Sequence, residues 1–210
     1  MTPIRIALAF ALALVPLFAA FPSVALAQEA PDALVKRVSE EALNIIRTDA
    51  QVKAGDKSHI RELIEAKIAP HFDMQRMTAL AVGRGWRQAT PEQKTRLADE
   101  FKTLLIRTYS NALDQYHEQT LRYLPLRAEA NATDVTVRTE VVRPGQQPVA
   151  IDYSMEKTPS GWKAYDVIVG GVSLVTNYRD EFAQQIQQGG IDSLIQALAA
   201  KNAAPAPAAK

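Results

Sequence analysis

The sequence contains no cysteine, which excludes disulfides, thiol nucleophiles, iron–sulfur clusters and thiolate zinc sites. It also lacks a surplus of either charge, with 24 Lys and Arg against 23 Asp and Glu and a net charge of +1. The basic footprint of a nucleic-acid binder is therefore missing, and no nucleic-acid partner is expected. Histidine is scarce. His59, His71 and His117 lie on separate segments with no H-x-x-x-H or H-E-x-x-H spacing, so they read as surface or capping residues rather than metal ligands. Gly171-Val172-Ser173-Leu174-Val175 begins like a nucleophile elbow but has valine where G-x-S-x-G requires glycine, so Ser173 is expected to cap the following helix. Gly83-Arg84-Gly85-Trp86 follows no strand and does not make a phosphate loop. What is present is ordinary globular content: 210 residues, 47% hydrophobic and 22% charged, enough for one domain or two closely packed lobes.

The first 27 residues differ from the rest. Arg5 is their single charge, an apolar run from Ile6 to Val15 follows, and Ala25-Leu26-Ala27 places small residues where a signal peptidase reads them. Pro16 and Pro22 interrupt the apolar stretch, which falls short of the roughly 20 unbroken residues a membrane span needs. The expectation is a cleaved secretory signal over 1–27, a folded domain over 28–201 and a disordered Ala/Pro tail over 202–210, with the periplasm as destination. Loss of Arg5 leaves equal numbers of acidic and basic groups. Without a cysteine at the cleavage point, no lipoprotein anchor can form.

Helical spacing then runs through Leu34, Val35, Val38, Ala42, Ile45 and Ile46 behind Pro31, and through Ile60, Leu63, Ile64 and Ile68 before Pro70. A third helix spans about Met74 to Val82. Thr90-Pro91 pairs a capping hydroxyl with proline at the first helical position, and the longest helix follows, repeating apolar residues from Leu97 to Tyr116. After His117 the period becomes two. Leu121, Tyr123 and Pro125 suggest an edge strand, Val135 to Val141 and Val149 to Met155 alternate cleanly, and a last strand runs from Trp162 to Val169. Two helices close the chain, one carrying Leu174 to Ile186 and the other Ile191 to Leu198. The fold class is α+β: a curved four-stranded antiparallel sheet, a cystatin-like cup, wrapped by about six to seven helices around an apolar pocket.

One enzyme reading survives the motif search. Small α+β cups include isomerases that use an Asp base beside an oxyanion donor, and Asp166 and Tyr165 lie together on the last strand. Adjacent strand residues point to opposite faces, so both line one pocket only if the strand bulges there.

Trp162-Lys163-Ala164-Tyr165-Asp166-Val167, Gly171 to Val175, and Asn177-Tyr178-Arg179-Asp180-Glu181-Phe182 form one distinctive block. Gly83-Arg84-Gly85-Trp86-Arg87-Gln88-Ala89-Thr90-Pro91-Glu92-Gln93 forms a second, continued by Phe101 and Tyr109-Ser110. Together these resemble the periplasmic phospholipid-binding component of the Mla lipid-transport system, also called the toluene-tolerance family, over roughly Ala33 to Leu198. The resemblance implies a soluble carrier of phospholipid, not an enzyme, with no cofactor beyond its cargo. It implies as partners an outer-membrane lipoprotein–porin complex and the inner-membrane Mla ABC transporter complex, and a role in outer-membrane lipid asymmetry. A hopanoid or another apolar ligand is an alternative cargo, and a ligand-free adaptor is a further alternative. Elementary physics fits such a carrier: a diacyl lipid exposes on the order of 30 methylenes, each costing about 0.8 kcal/mol in water. The expected lipid-binding residues are Leu105, Tyr109 and Leu113 on the long helix and Val137, Val149, Ile151 and Tyr153 on the sheet. Arg84, Trp86 and Arg87 are placed at the pocket mouth, where an arginine would meet phosphate; the alternatives are Trp86 packed between helices, the more common role, and solvated arginines. Trp162 is read as core and Arg179 as a partner contact.

Overall fold

The computed structural model describes residues 28–113 and 119–204, with side chains at 111–113 left aside. The expected signal segment, Tyr116, His117, the Leu113 side chain and residues 205–210 of the tail thus lie outside the described residues.

Aspartates and one threonine set most helix starts. Helix α1 (Pro31–Thr48) begins with proline at its first position, and α2 (Ala50–Lys53) and α3 (Lys57–Leu63) are capped by the carboxylates of Asp49 and Asp56. Asp73 caps α4 (Met74–Val82) by accepting from the Arg76 amide at 2.8 Å. At α5 (Pro91–Leu113), the Thr90 amide donates to Gln93 Oε1 at 3.0 Å and the Gln93 amide donates back to Thr90 Oγ1 at 3.2 Å. This reciprocal pair satisfies two otherwise orphaned donors, as the Thr90-Pro91 signal implies.

The sheet is an antiparallel meander in chain order: β1 (Thr120–Tyr123), β2 (Asp134–Val142), β3 (Val149–Thr158), β4 (Gly161–Val169) and β5 (Val172–Ser173). It has five strands rather than the expected four. The added β5 is two residues long, too short to leave an alternation pattern, and Gly170 and Gly171 at positive φ turn the chain back to make it. Consequently Leu174 and Val175 fall before the last helix, not within it. Their carbonyl and amide partners hold a turn that leads through Thr176–Tyr178 into α6 (Arg179–Ala203). Ser173 Oγ accepts from the Thr176 amide at 3.0 Å, so it caps that turn.

Two helical units cover one face of the sheet. Leu34 and Val35 of α1 pack on Val135, Val137, Met155 and Ala164, with Trp162 against them. Separately, α4, α5 and α6 build a helical core around Leu97, Phe101, Val175, Tyr178 and Phe182. Phe101 meets Tyr178 and Phe182 edge-on, at centroid distances of 5.2 and 5.3 Å. Phe72 packs against both clusters.

Three local departures from regularity matter. After α3 the chain widens into a π turn over Ile64–Ile68, with the Ala69 amide bonded to the Ile64 carbonyl. Pro70 has no amide to offer Ala66, so the ordinary ladder cannot continue there. Strand β4 bulges, with Ser154 opposite Asp166 but Met155 opposite Ala164, leaving Tyr165 as the extra residue. Finally, α6 is broken at Gly189 and Gly190, dividing it where the sequence places the boundary between two helices. Gly85 packs near that region, since a β-carbon on it would meet Ile186 Cδ1 at 2.8 Å. Past the break, α6 continues to Ala203, and Asn202 donates to the Glu100 carbonyl at 2.9 Å.

Gly190 has φ 74° and ψ −171°, a conformation essentially reserved to glycine. Gly190→Ala is expected to lower stability by about 1–3 kcal/mol, read from urea unfolding midpoints.

Candidate functional site

Four stretches of chain close around an apolar cavity of about 210 Å³. The π turn supplies Ile64, Ile68 and Ala69; Phe72, Met74 and Met77 add the entry and first turns of α4. Helix α5 contributes Lys102, Leu105, Ile106, Tyr109 and Ser110, residues that share one stripe at spacings of three and four. From the sheet side come Val167 of β4 and Leu174 beyond β5. A smaller apolar void of about 30 Å³ lies beside Ile45, Ile46 and Ile60 and shares Ile64 and Ile68 with the larger one. The π turn thus separates two apolar spaces.

Polar groups in the wall are engaged with protein. The Ser110 hydroxyl donates to the Arg107 carbonyl at 3.3 Å. Burial, reinforced by its hydrogen-bonded neighbour Tyr178, pushes the Tyr109 hydroxyl up to about 12, so it is uncharged at any physiological pH. Among the described residues, Lys102 is the one charged residue of this wall. Such a surface offers dispersion contacts and no reactive group beyond that ammonium.

The expected residues divide clearly. Leu105 and Tyr109 line the cavity. Val137 is 2% exposed within the cluster under α1, and Tyr153 packs beside it. Ile151 is half-buried, while Val149 is 42% exposed at the end of its strand. All four sheet candidates share the face that the register predicts, because Val137, Thr139 and Val141 oppose Tyr153, Ile151 and Val149. Alternation identifies the face but not which stretch of it the helices leave open, and Val167 is the strand residue that reaches the cavity. At the expected mouth, Trp86 packs on the helical core with the Lys94 ammonium 5.6 Å from its ring centre. Arg84 and Arg87 are exposed on the 83–87 turn, away from the cavity wall. Arg179 donates to the Leu80 carbonyl at 3.2 and 3.3 Å, closing the end of α4.

The strand does bulge at Tyr165, yet Tyr165 and Asp166 do not converge on the cavity. Tyr165 donates to Asp134 Oδ1 at 2.9 Å and stacks under Arg76 at 3.5 Å. Buried Asp166 accepts from the Val167 and Val175 amides at 2.8 and 3.2 Å and from Ser173 Oγ at 2.6 Å. Its carboxylate is a clasp for the β4–β5 turn, and neither residue lines the cavity. Among the described residues, no cluster of three or more His, Asp or Glu could hold a metal ion, and no helix is long and apolar enough to cross a membrane.

Fold and site together define a small α+β protein with an apolar interior opening between a helical layer and an antiparallel sheet. Residues 36–200 match the family model described as MlaC protein, and the chain belongs to that family. It is 27% identical over 180 residues to toluene tolerance protein ttg2D of Pseudomonas putida, covering 85% of this chain and 83% of that protein. It is 21% identical over 174 residues to the intermembrane phospholipid transport system binding protein MlaC of Haemophilus influenzae, covering 81% of each. Among solved structures it resembles a phospholipid-binding protein from Ralstonia solanacearum in complex with a phospholipid. There the identity is 43% and the TM-score 0.78, over 83% of this chain and 98% of the other.

Because Asp166 satisfies two amides and a hydroxyl in a buried turn, Asp166→Asn is expected to destabilise the fold by about 1–3 kcal/mol. Thermal or urea unfolding measures the change; wild-type stability would remove the clasp.

Proposed function

We propose that this chain is a periplasmic lipid carrier that takes phospholipid acyl tails into the cavity between α5, the π turn and β4. It shuttles lipid between an outer-membrane lipoprotein–porin complex and an inner-membrane ABC transporter, and so helps to maintain outer-membrane asymmetry. It does so without catalysis. The observation that carries this reading is a wall that, among the described residues, is apolar and uncharged apart from Lys102, in a chain 43% identical to a protein solved with phospholipid bound.

Volume constrains how the cargo enters. An apolar cavity of about 150 Å³ accommodates benzene, and pockets that enclose drug-sized ligands span about 300–1,000 Å³. The 210 Å³ space therefore holds only part of a diacyl lipid, and its walls part as tails enter. The π turn is the wall segment best suited to yield, because it lacks the regular ladder and has a second apolar space behind Ile64 and Ile68. Export precedes this work, with residues 1–27 read as a removed signal.

Native mass spectrometry of protein purified from a Gram-negative periplasm is expected to show a phospholipid-sized adduct released by organic solvent. Leu105→Trp, which fills the wall, should lower that occupancy several-fold; an empty wild-type protein would overturn the carrier reading. The same spectra give the mass of the mature chain, expected to begin at Gln28.

A further inference from the structure

The cavity has a polarity of its own. Along α5 the wall runs from Lys102 to Ser110, about 12 Å at the rise of a helix. At the Ser110 end the polar groups are satisfied by protein, Ser110 by Arg107 and Tyr109 by Tyr178. At the Lys102 end the ammonium is only loosely held. Its ion pair with Asp99 spans 3.9 Å, longer than a hydrogen bond, and the two side chains are 33% and 67% exposed. Lysine at such a place covers the apolar wall with its methylene stem and keeps its charge at the water boundary.

We propose that Lys102 recognises the phosphate of the bound lipid and thereby sets its orientation, with the phosphate at the α5 rim and the tails running toward Tyr109 and Ser110. The proposal rests on the carrier reading and adds a specificity to it. An ammonium presents three donors that match phosphate oxygens in charge-assisted hydrogen bonds, and its point charge makes no demand on the rest of the head group. The residue therefore selects lipids that carry a phosphate over neutral lipids with the same tails, while tolerating different alcohols on that phosphate. Arg84 and Arg87, the arginines expected at the mouth, stand on the turn that packs against the helical core and do not line the cavity.

The test is a competition. Protein is incubated with vesicles holding equal amounts of phosphatidylglycerol and diacylglycerol with identical oleoyl tails, and native mass spectrometry reads the ratio of the two bound species. Equal tails cancel the cavity's contribution. Wild-type protein is expected to favour the phospholipid, Lys102→Met to reduce the ratio about fivefold, and Lys102→Arg to restore it to within about twofold. Lys102→Gln, which keeps a polar end without the charge, should reproduce the fall and guard against an effect of the methionine itself. An unchanged ratio in both neutral variants overturns the role of Lys102. Uptake of neither lipid by the wild-type chain is a separate result, and it overturns the carrier reading together with the proposal built on it.

Discussion

One apolar sheet face must be covered, and here two helical units share the work without meeting along its whole length. Helix α1 closes on Val135, Val137 and Met155, while α5 stands over Val167 with the α4 and α6 core behind it. Phe72 touches both units, and beside it the π turn, α5 and Val167 leave an apolar space unfilled. Without contents, the wall side chains lack dispersion partners on one side. Ligand in the cavity restores those contacts and stabilises the fold by mass action.

Polar clasps keep such an interior from collapsing. Asp166 fixes the turn that brings Leu174 to the wall, and Arg179 ties the end of α4 to the start of α6. Across the bulge, the Arg76 guanidinium stacks on Tyr165 while pairing with Glu156 and, at 3.1 Å, with Asp134. These contacts join α4 to β2, β3 and β4. Each exposed ion pair contributes little alone, but the stacked and doubly paired guanidinium holds one geometry that a point charge could not.

Much of this architecture was legible in the residues. Period-two alternation placed β2 and β3 and their inward face, and Thr90-Pro91 marked the start of the longest helix. The π turn escaped because Ile64 and Ile68 also fit an α-helical stripe; Pro70 alone hinted that the ladder must open. The two-residue β5 and the one-residue bulge are below the length at which a pattern can form. At the site, the helical candidates Leu105 and Tyr109 line the cavity, since a stripe at threes and fours points one way. Of the sheet candidates, Val137 and Tyr153 lie in the cluster under α1, a covering that is a tertiary event no strand pattern encodes. Lys102 carries no signal in the sequence for a related reason: a lysine reads as solvated unless its stem is known to lie against an apolar wall.

A carrier of the proposed kind also has to release what it holds, and a small resting cavity serves that need. Burying all of some 30 methylenes at about 0.8 kcal/mol each would give roughly 24 kcal/mol, beyond the 18–21 kcal/mol at which non-covalent affinities saturate. A lipid bound so tightly would dissociate too slowly to be delivered. Opening a 210 Å³ space to admit more of the tails separates wall side chains from one another and offsets part of the gain. Tail segments left outside the wall reduce it further. The irregular π turn, the second void behind it and the single loosely paired ammonium at the rim all act in the same direction. They keep the bound state favourable over water while leaving it within reach of a partner that offers a larger apolar surface.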